Sequence, residues 1–135
     1  MSETAKKRLL IVDDEVVFLD ILRDRFNRHG FAVETASTAD EAIKLLVDRE
    51  YDLLITDVQM PGGTGYDLVG LTRFVNGKIP VIMISGNDPE DVMKEGAYGA
   101  GVFRCISKLD TKSIFSAADE AIEAFAGGGL VSESV

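Results

Sequence analysis

Leu53-Leu54-Ile55-Thr56-Asp57-Val58-Gln59-Met60-Pro61-Gly62-Gly63-Thr64-Gly65 sets an apolar run against a carboxylate and follows it at once with a turn. An apolar run of this length, bounded by turn residues, reads as a strand buried on both faces. Asp57 then stands at the carboxyl end of that strand, which is where open parallel α/β sheets bind their ligands. Pro61, Gly62, Gly63 and Gly65 are poor continuers of a strand or a helix, so they hold a loop beside Asp57. On this stretch alone, Asp57 is also readable as a plain strand stop. The rest of the chain decides between the two.

Upstream, Leu9-Leu10-Ile11-Val12 is a short buried strand that ends on Asp13-Asp14-Glu15. Val17, Phe18, Ile21, Leu22 and Phe26 recur at helical spacing, so a first helix is expected from about Glu15 to His29, with Gly30 as its stop. His29, the only histidine, reads as a helix C-terminal residue rather than a ligand. Phe31 to Thr35 is a second strand. Thr38 with Glu41 three residues on is a capping box that opens a helix through about Arg49. The opening stretch supplies the third strand, about Asp52 to Thr56.

Downstream, a third helix is expected over Tyr66 to Val75, closed by Asn76-Gly77, and a fourth strand over Ile79 to Ile84, ending at Ser85. Asp88-Pro89 starts a fourth helix, with Asp as N-cap and Pro at the first position. Gly96 and Gly99 weaken it, at ~1 kcal/mol each relative to Ala inside a helix. Val102 to Ile106 is the fifth strand, ended by Ser107-Lys108. Thr111 or Asp110 caps a last helix that carries Ile114, Ala118, Ala121, Ile122 and Phe125 on one face. Gly127-Gly128-Gly129 terminates it. Five β-α units in alternation, with right-handed crossovers, predict an α/β three-layer sandwich on a five-stranded parallel sheet, flavodoxin-like in strand order. The folded unit is expected over residues 8–126, with a tail at 1–7 and another at 127–135.

The chain has 135 residues, of which 46% are hydrophobic and 7% aromatic, so one domain with an aliphatic core is expected. Fourteen basic against 23 acidic residues leave a net charge of −9, which argues against direct binding to a nucleic-acid backbone. One cysteine, Cys105, excludes an internal disulfide and fits a reducing compartment. Leu9 to Val12 is too short for a signal-peptide core, and no run approaches the ~18 apolar residues of a membrane span. A cytoplasmic protein without membrane contact is the expectation.

Four of the five strands end on groups with chemistry: Asp13 and Asp14, then Asp57, Ser85 and Lys108. Singly, each has an ordinary explanation, such as a solvated helix N-terminus, turn chemistry or a surface lysine. In a parallel sheet all five gather at one rim. Three clustered carboxylates raise one another's pKa unless a cation sits among them, and hard oxygen ligands with open water positions suit Mg²⁺. An ammonium from Lys108 and a hydroxyl from Ser85 complete a site for an anion beside that metal. This set meets the needs of phosphoryl transfer onto Asp57, with the protein supplying positioning and charge neutralisation.

That order resembles the receiver domain of bacterial two-component response regulators, from about Arg8 to Phe125. The resemblance implies that Asp14 ligates Mg²⁺ directly, that Asp13 acts on it through water, and that the backbone carbonyl of Gln59 is a third protein contact beside Asp57. It makes Asp57 the phosphoacceptor, Ser85, followed by Gly86, the switch hydroxyl and Lys108 the phosphate-pairing lysine. The phosphoryl group would come from a phosphohistidine on a sensor histidine kinase or a phosphotransfer protein. Output would run through a downstream protein target, with a homodimer among the assemblies open to it and no separate enzymatic or DNA-binding output domain. Beyond limited self-phosphorylation and self-dephosphorylation, no enzyme activity is implied.

Two positions depart from the family. Cys105 stands where an aromatic usually precedes the lysine, and Leu109 where a cis-proline usually follows it. A non-proline cis bond costs roughly 2.5–4 kcal/mol, so a trans bond and a rearranged loop over residues 107–110 are expected. Signal transmission then falls to the fourth helix, through Ser85 and the loop after it. A scaffold that keeps the fold without phosphate switching is the competing reading favoured by Cys105 and Leu109. A small Mg²⁺-dependent phosphatase is a third, disfavoured because Val58 and Gln59 supply no acid or base beside Asp57.

Overall fold

The computed structural model describes residues 6–75, 79–93, 96, 99 and 101–126. Five parallel strands form the central sheet: β1 (Arg8–Val12), β2 (Ala32–Ala36), β3 (Leu53–Asp57), β6 (Val81–Ser85) and β7 (Arg104–Ser107), in the order β2-β1-β3-β6-β7. A separate two-residue hairpin, β4 (Gln59–Met60) with β5 (Gly63–Thr64), lies between β3 and the next helix. The helices are α1 (Val16–Arg28), α2 (Ala39–Asp48), α3 (Gly65–Val75), α4 (Pro89–Val92) and α5 (Thr111–Ala126). This is the doubly wound, flavodoxin-like sandwich that the alternation of elements predicted.

Strand periodicity explains the three layers. Successive side chains of a strand point to opposite faces, and the central strands are apolar on both. Leu10, Val12, Leu54, Val81 and Met83 join Ala39, Ala42 and Leu46 of α2 and Leu68 and Val69 of α3 in one core. Leu9, Ile11, Leu53, Ile55, Ile82 and Ile84 join Leu22 and Phe26 of α1 and Ile114, Ala118 and Ala121 of α5 in the other. Shifting any strand by one residue would exchange its two sets, so the register is tightly specified. Phe26 ties α1 to α5 and to the residue before β2: its ring meets Phe115 at 4.4 Å and Phe31 edge-on at 5.4 Å.

The helix ends follow the expected caps. Thr38 accepts from the Glu41 amide, and Asp88 from Glu90. The Glu41 carboxylate returns to the amide of Ser37, one residue before the expected partner. Asp110, not Thr111, caps α5, accepting from the amide and hydroxyl of Ser113; these bonds hold its carboxyl below the usual range. His29 is the C-cap of α1, and Gly30 takes a left-handed φ of 98°.

Several boundaries differ from the sequence reading. β2, β3 and β7 each end one residue later than expected, and β6 begins at Val81 rather than Ile79. Pro80 has no amide to donate, which stops the ladder from extending back. Among the described residues the expected fourth helix has regular α-helix at Pro89–Val92 and π-type backbone at Met93 and Gly96. Asn76-Gly77 and the Gly127-Gly128-Gly129 stop lie outside the described residues.

Candidate functional site

The carboxyl ends of β1, β3, β6 and β7 open on the same rim of the sheet. Asp13 follows β1, where its amide donates to Ala36 O at 3.1 Å, and its side chain has no exposed surface. Asp57 is the last residue of β3 and is 8% exposed. Asp13, Asp14 and Asp57 each bring one carboxylate oxygen to within 4.8 Å of the others. The sequence reading placed these three together, and so does the fold.

Lys108 reaches into this acidic rim from the end of β7. Its Nζ lies 3.0 Å from Asp57 Oδ2, 3.2 Å from Asp13 Oδ1 and 2.5 Å from Glu15 Oε1. The Phe18 ring sits below it, with the ammonium 5.5 Å from the ring centroid. Burial alone would lower the Lys108 pKa; the hydrogen bonds that it donates to Glu15, Asp13 and Asp57 outweigh it and raise the pKa well above the ordinary lysine value. Lys108 is therefore the cation that lets the carboxylates sit together.

The electrostatic strain falls on Asp13. Burial pushes its carboxyl above the ordinary value, the neighbouring Asp57 adds to the rise, and hydrogen bonds from the Glu15 amide and Lys108 oppose it. Asp13 Oδ1 holds the Glu15 amide at 2.8 Å, and the buried Oδ2, which has no hydrogen bond, is paired with the Lys108 ammonium at 2.9 Å. Three hard carboxylate oxygens within 4.8 Å of one another match the chemistry of a hard divalent cation, so the residues fit such an ion.

Asp57 is held on both oxygens: Oδ1 accepts from the Val58 amide at 2.7 Å and Oδ2 from Lys108. Gly65 explains how the backbone beyond it folds so tightly. Its amide donates to Val58 O at 2.7 Å, and a Cβ at this position would lie 2.4 Å from Asp57 O. Gln59 follows in β4, paired with Thr64 across the hairpin. Ser85 ends β6, with its hydroxyl accepting from the Asn87 amide at 2.9 Å. Ser85 O also accepts from the Lys108 amide at 2.9 Å, joining the two strand ends by backbone.

Among the described residues every peptide bond is trans, including Lys108–Leu109. As expected, the loop here is rearranged; it is closed by the Leu109 amide on Ser107 Oγ at 3.1 Å and the Asp110 amide on Ser107 O at 3.0 Å. Leu109 is turned out, 95% exposed. Cys105 is half-buried on β7, and burial pushes its thiol up to about 11. It lines a groove of about 380 Å³ with Pro89, Ser107, Ser113 and Ala117, between α4 and α5. The sequence reading did not foresee Glu15 and Phe18 as partners of Lys108. A glutamate two residues after Asp13, at the head of a helix whose next turn carries Phe18, was the available signal.

Residues 9–119 match the family model described as the response regulator receiver domain. The chain belongs to that family. As a receiver domain it is a signalling module of two-component systems, a family that works with histidine kinases or phosphotransfer proteins. It is 32% identical over 118 residues to the transcriptional regulatory protein GlrR of Escherichia coli, covering 85% of this chain and 26% of that protein. It is 32% identical over 90 residues to the transcriptional regulatory protein ResD of Bacillus subtilis, covering 67% of this chain and 37% of that one. The chain thus spans well under half the length of these curated relatives. A CheY-like receiver domain protein from Methanospirillum hungatei superposes with a TM-score of 0.85 at 24% identity, covering 93% of this chain and all of that one. At that identity the likeness bears on the fold. No helix among the described residues is long and apolar enough to cross a membrane.

Proposed function

We propose that this receiver accepts a phosphoryl group on Asp57 from a phosphohistidine of a sensor histidine kinase or phosphotransfer protein. A phosphorus–oxygen bond forms to an Asp57 carboxylate oxygen as the phosphorus–nitrogen bond of the donor breaks, and the imidazole nitrogen keeps the electron pair. The observation that carries the reading is the convergence on Asp57 of the Lys108 ammonium and two further carboxylates, Asp13 and Asp14.

Each residue has a role in this reading. Asp57 is the nucleophile, aligned by the Val58 amide. Lys108 neutralises charge on the transferred group, and the Ser85 hydroxyl, one strand over, answers a phosphoryl oxygen after transfer. Asp13, Asp14, Asp57 and the backbone carbonyl of Gln59 would hold Mg²⁺. When bound, the ion supplies charge neutralisation for the developing phosphoryl oxyanions. The close approach of the Asp13, Asp14 and Asp57 carboxylates supports a cation here.

Output runs by contacts with a downstream protein or a second copy of the chain, inside a cytoplasmic folded unit spanning residues 8–126. The trans Lys108–Leu109 bond and the small Cys105 favour a route through Ser85 and the α4 side rather than an aromatic rotamer. A small-molecule phosphodonor with Mg²⁺, followed by intact-mass measurement, tests the reading. One stable, base-labile phosphoryl group per chain is expected. A chain that stays unmodified is a scaffold, and one that consumes donor without retaining phosphate is a phosphatase.

A further inference from the structure

An ammonium has three N–H donors. In this structure Lys108 donates to three carboxylates, Asp13, Asp57 and Glu15. Nothing is left to give an incoming phosphoryl oxygen, so one bond must be released before Lys108 can pair with phosphate. Exposure decides which one. The Asp13 side chain is wholly buried, and the side chain of Asp57 is nearly so, so neither regains much water on release. The Glu15 side chain is 62% exposed, and its carboxylate returns to solvent at little cost.

Glu15 also stands apart from the metal-holding set. It is the N-cap residue of α1, its side chain makes no capping bond, and it does not belong to the Asp13–Asp14–Asp57 cluster. Its contact with Lys108 is the shortest of the three.

We propose that Glu15 is a positioning residue that holds Lys108 in the resting receiver and competes with the phosphoryl group for it. Glu15 sets how readily Lys108 engages phosphate; it takes no part in bond making. The inference rests on Asp57 being the acceptor, and it adds an inhibitory contact to that reading.

The test is binding of beryllofluoride, a phosphoryl mimic, at saturating Mg²⁺ to the wild type, Glu15→Gln and Glu15→Asp. Glutamine removes the ion pair, and aspartate keeps the charge but is one methylene too short to hold the same contact. Both variants should bind the mimic about two- to five-fold more tightly, the range expected when one solvent-facing ion pair is released. With a small-molecule phosphodonor, the gain should appear in the donor concentration for half-maximal rate and not in the maximal rate. In Mg²⁺-free protein the Lys108 Nζ nitrogen resonance should shift in both variants. Unchanged or weaker mimic binding by Glu15→Gln overturns the proposal, as does Glu15→Asp binding like the wild type, which would make the effect one of charge alone. A wild type that takes up no beryllofluoride overturns the acceptor reading and the proposal together.

Discussion

Removing the Lys108 ammonium leaves Asp13, with no exposed surface, facing Asp57 without the cation that separates their charges. Lys108→Ala should therefore cost about 1–3 kcal/mol of stability in Mg²⁺-free buffer, the scale of a buried polar group losing its partner. The same loss raises local negative charge, so the variant should bind Mg²⁺ more tightly and recover much of its stability when the ion is added. Urea titrations with and without Mg²⁺ check both halves. Equal stability loss in the two buffers, or weaker Mg²⁺ binding by a folded variant, would contradict this placement of the lysine. Cys105 gives a second test at this scale. Burial favours its neutral thiol and pushes it up to about 11 from 9.0. At pH 8 the thiolate fraction is then on the order of one in a thousand. Iodoacetamide should label the folded chain far more slowly than a free thiol, with a rate that rises about tenfold per pH unit up to about pH 11. The raised folded value also means that stability from this group is present below pH 9.0 and declines as pH climbs through 11. A labelling plateau near neutral pH would show the thiol to be solvated.

The strands and most helix starts were legible because each is written locally. Apolar runs such as Leu9–Val12 and Val81–Ile84 have few other uses, and Thr38 and Asp88 carry their own capping signals. The β4–β5 hairpin was not legible: two paired residues per strand leave no periodicity, and Pro61-Gly62-Gly63 announces a turn without naming its partners. Gly96 and Gly99 marked the fourth helix as weak, but a π-type backbone at Met93 has no sequence mark. Gly65 is where element and site meet, at the first residue of α3. Its missing Cβ leaves room for Asp57 O at 2.4 Å, Thr56 Cγ2 at 3.1 Å and Met83 Cε at 3.2 Å from where that atom would be. The nearest of these is backbone, which cannot move aside as the flexible Met83 tip could, so a methyl group forces the chain at Asp57 to shift. Gly65→Ala should cost about 1–3 kcal/mol, as overpacking does, and should slow acceptor chemistry by displacing the Asp57 backbone. Gly70→Ala, which meets nothing within 4 Å, is the control and should be neutral or mildly stabilising. If both variants melt alike, the close approach at Gly65 is not a constraint.

Across the whole molecule, the parallel sheet brings the ends of four strands, and with them five scattered residues, to one rim. That much could be read from the sequence, because parallel strands put all their carboxyl ends at one rim. The three-way grip on Lys108 could not, since it joins residues 93 and 95 positions apart through distances that only packing sets. A chain of net charge −9 that gathers acid at one rim should be stabilised by a bound cation. Mg²⁺ should raise the melting temperature of the wild type. Asp14→Ala should lose that gain more fully than Asp13→Ala, because Asp14 is the proposed direct ligand. Equal losses in a thermal-shift titration would reverse the assignment. The account as a whole turns on Asp57 as the residue that takes the phosphoryl group. Borohydride reduces an aspartyl phosphate to homoserine, so phosphodonor and Mg²⁺ treatment, reduction and peptide mapping locate the acceptor directly. The account predicts homoserine at position 57 and unchanged aspartate at 13 and 14; homoserine at 13 or 14, or at none of the three, would contradict it.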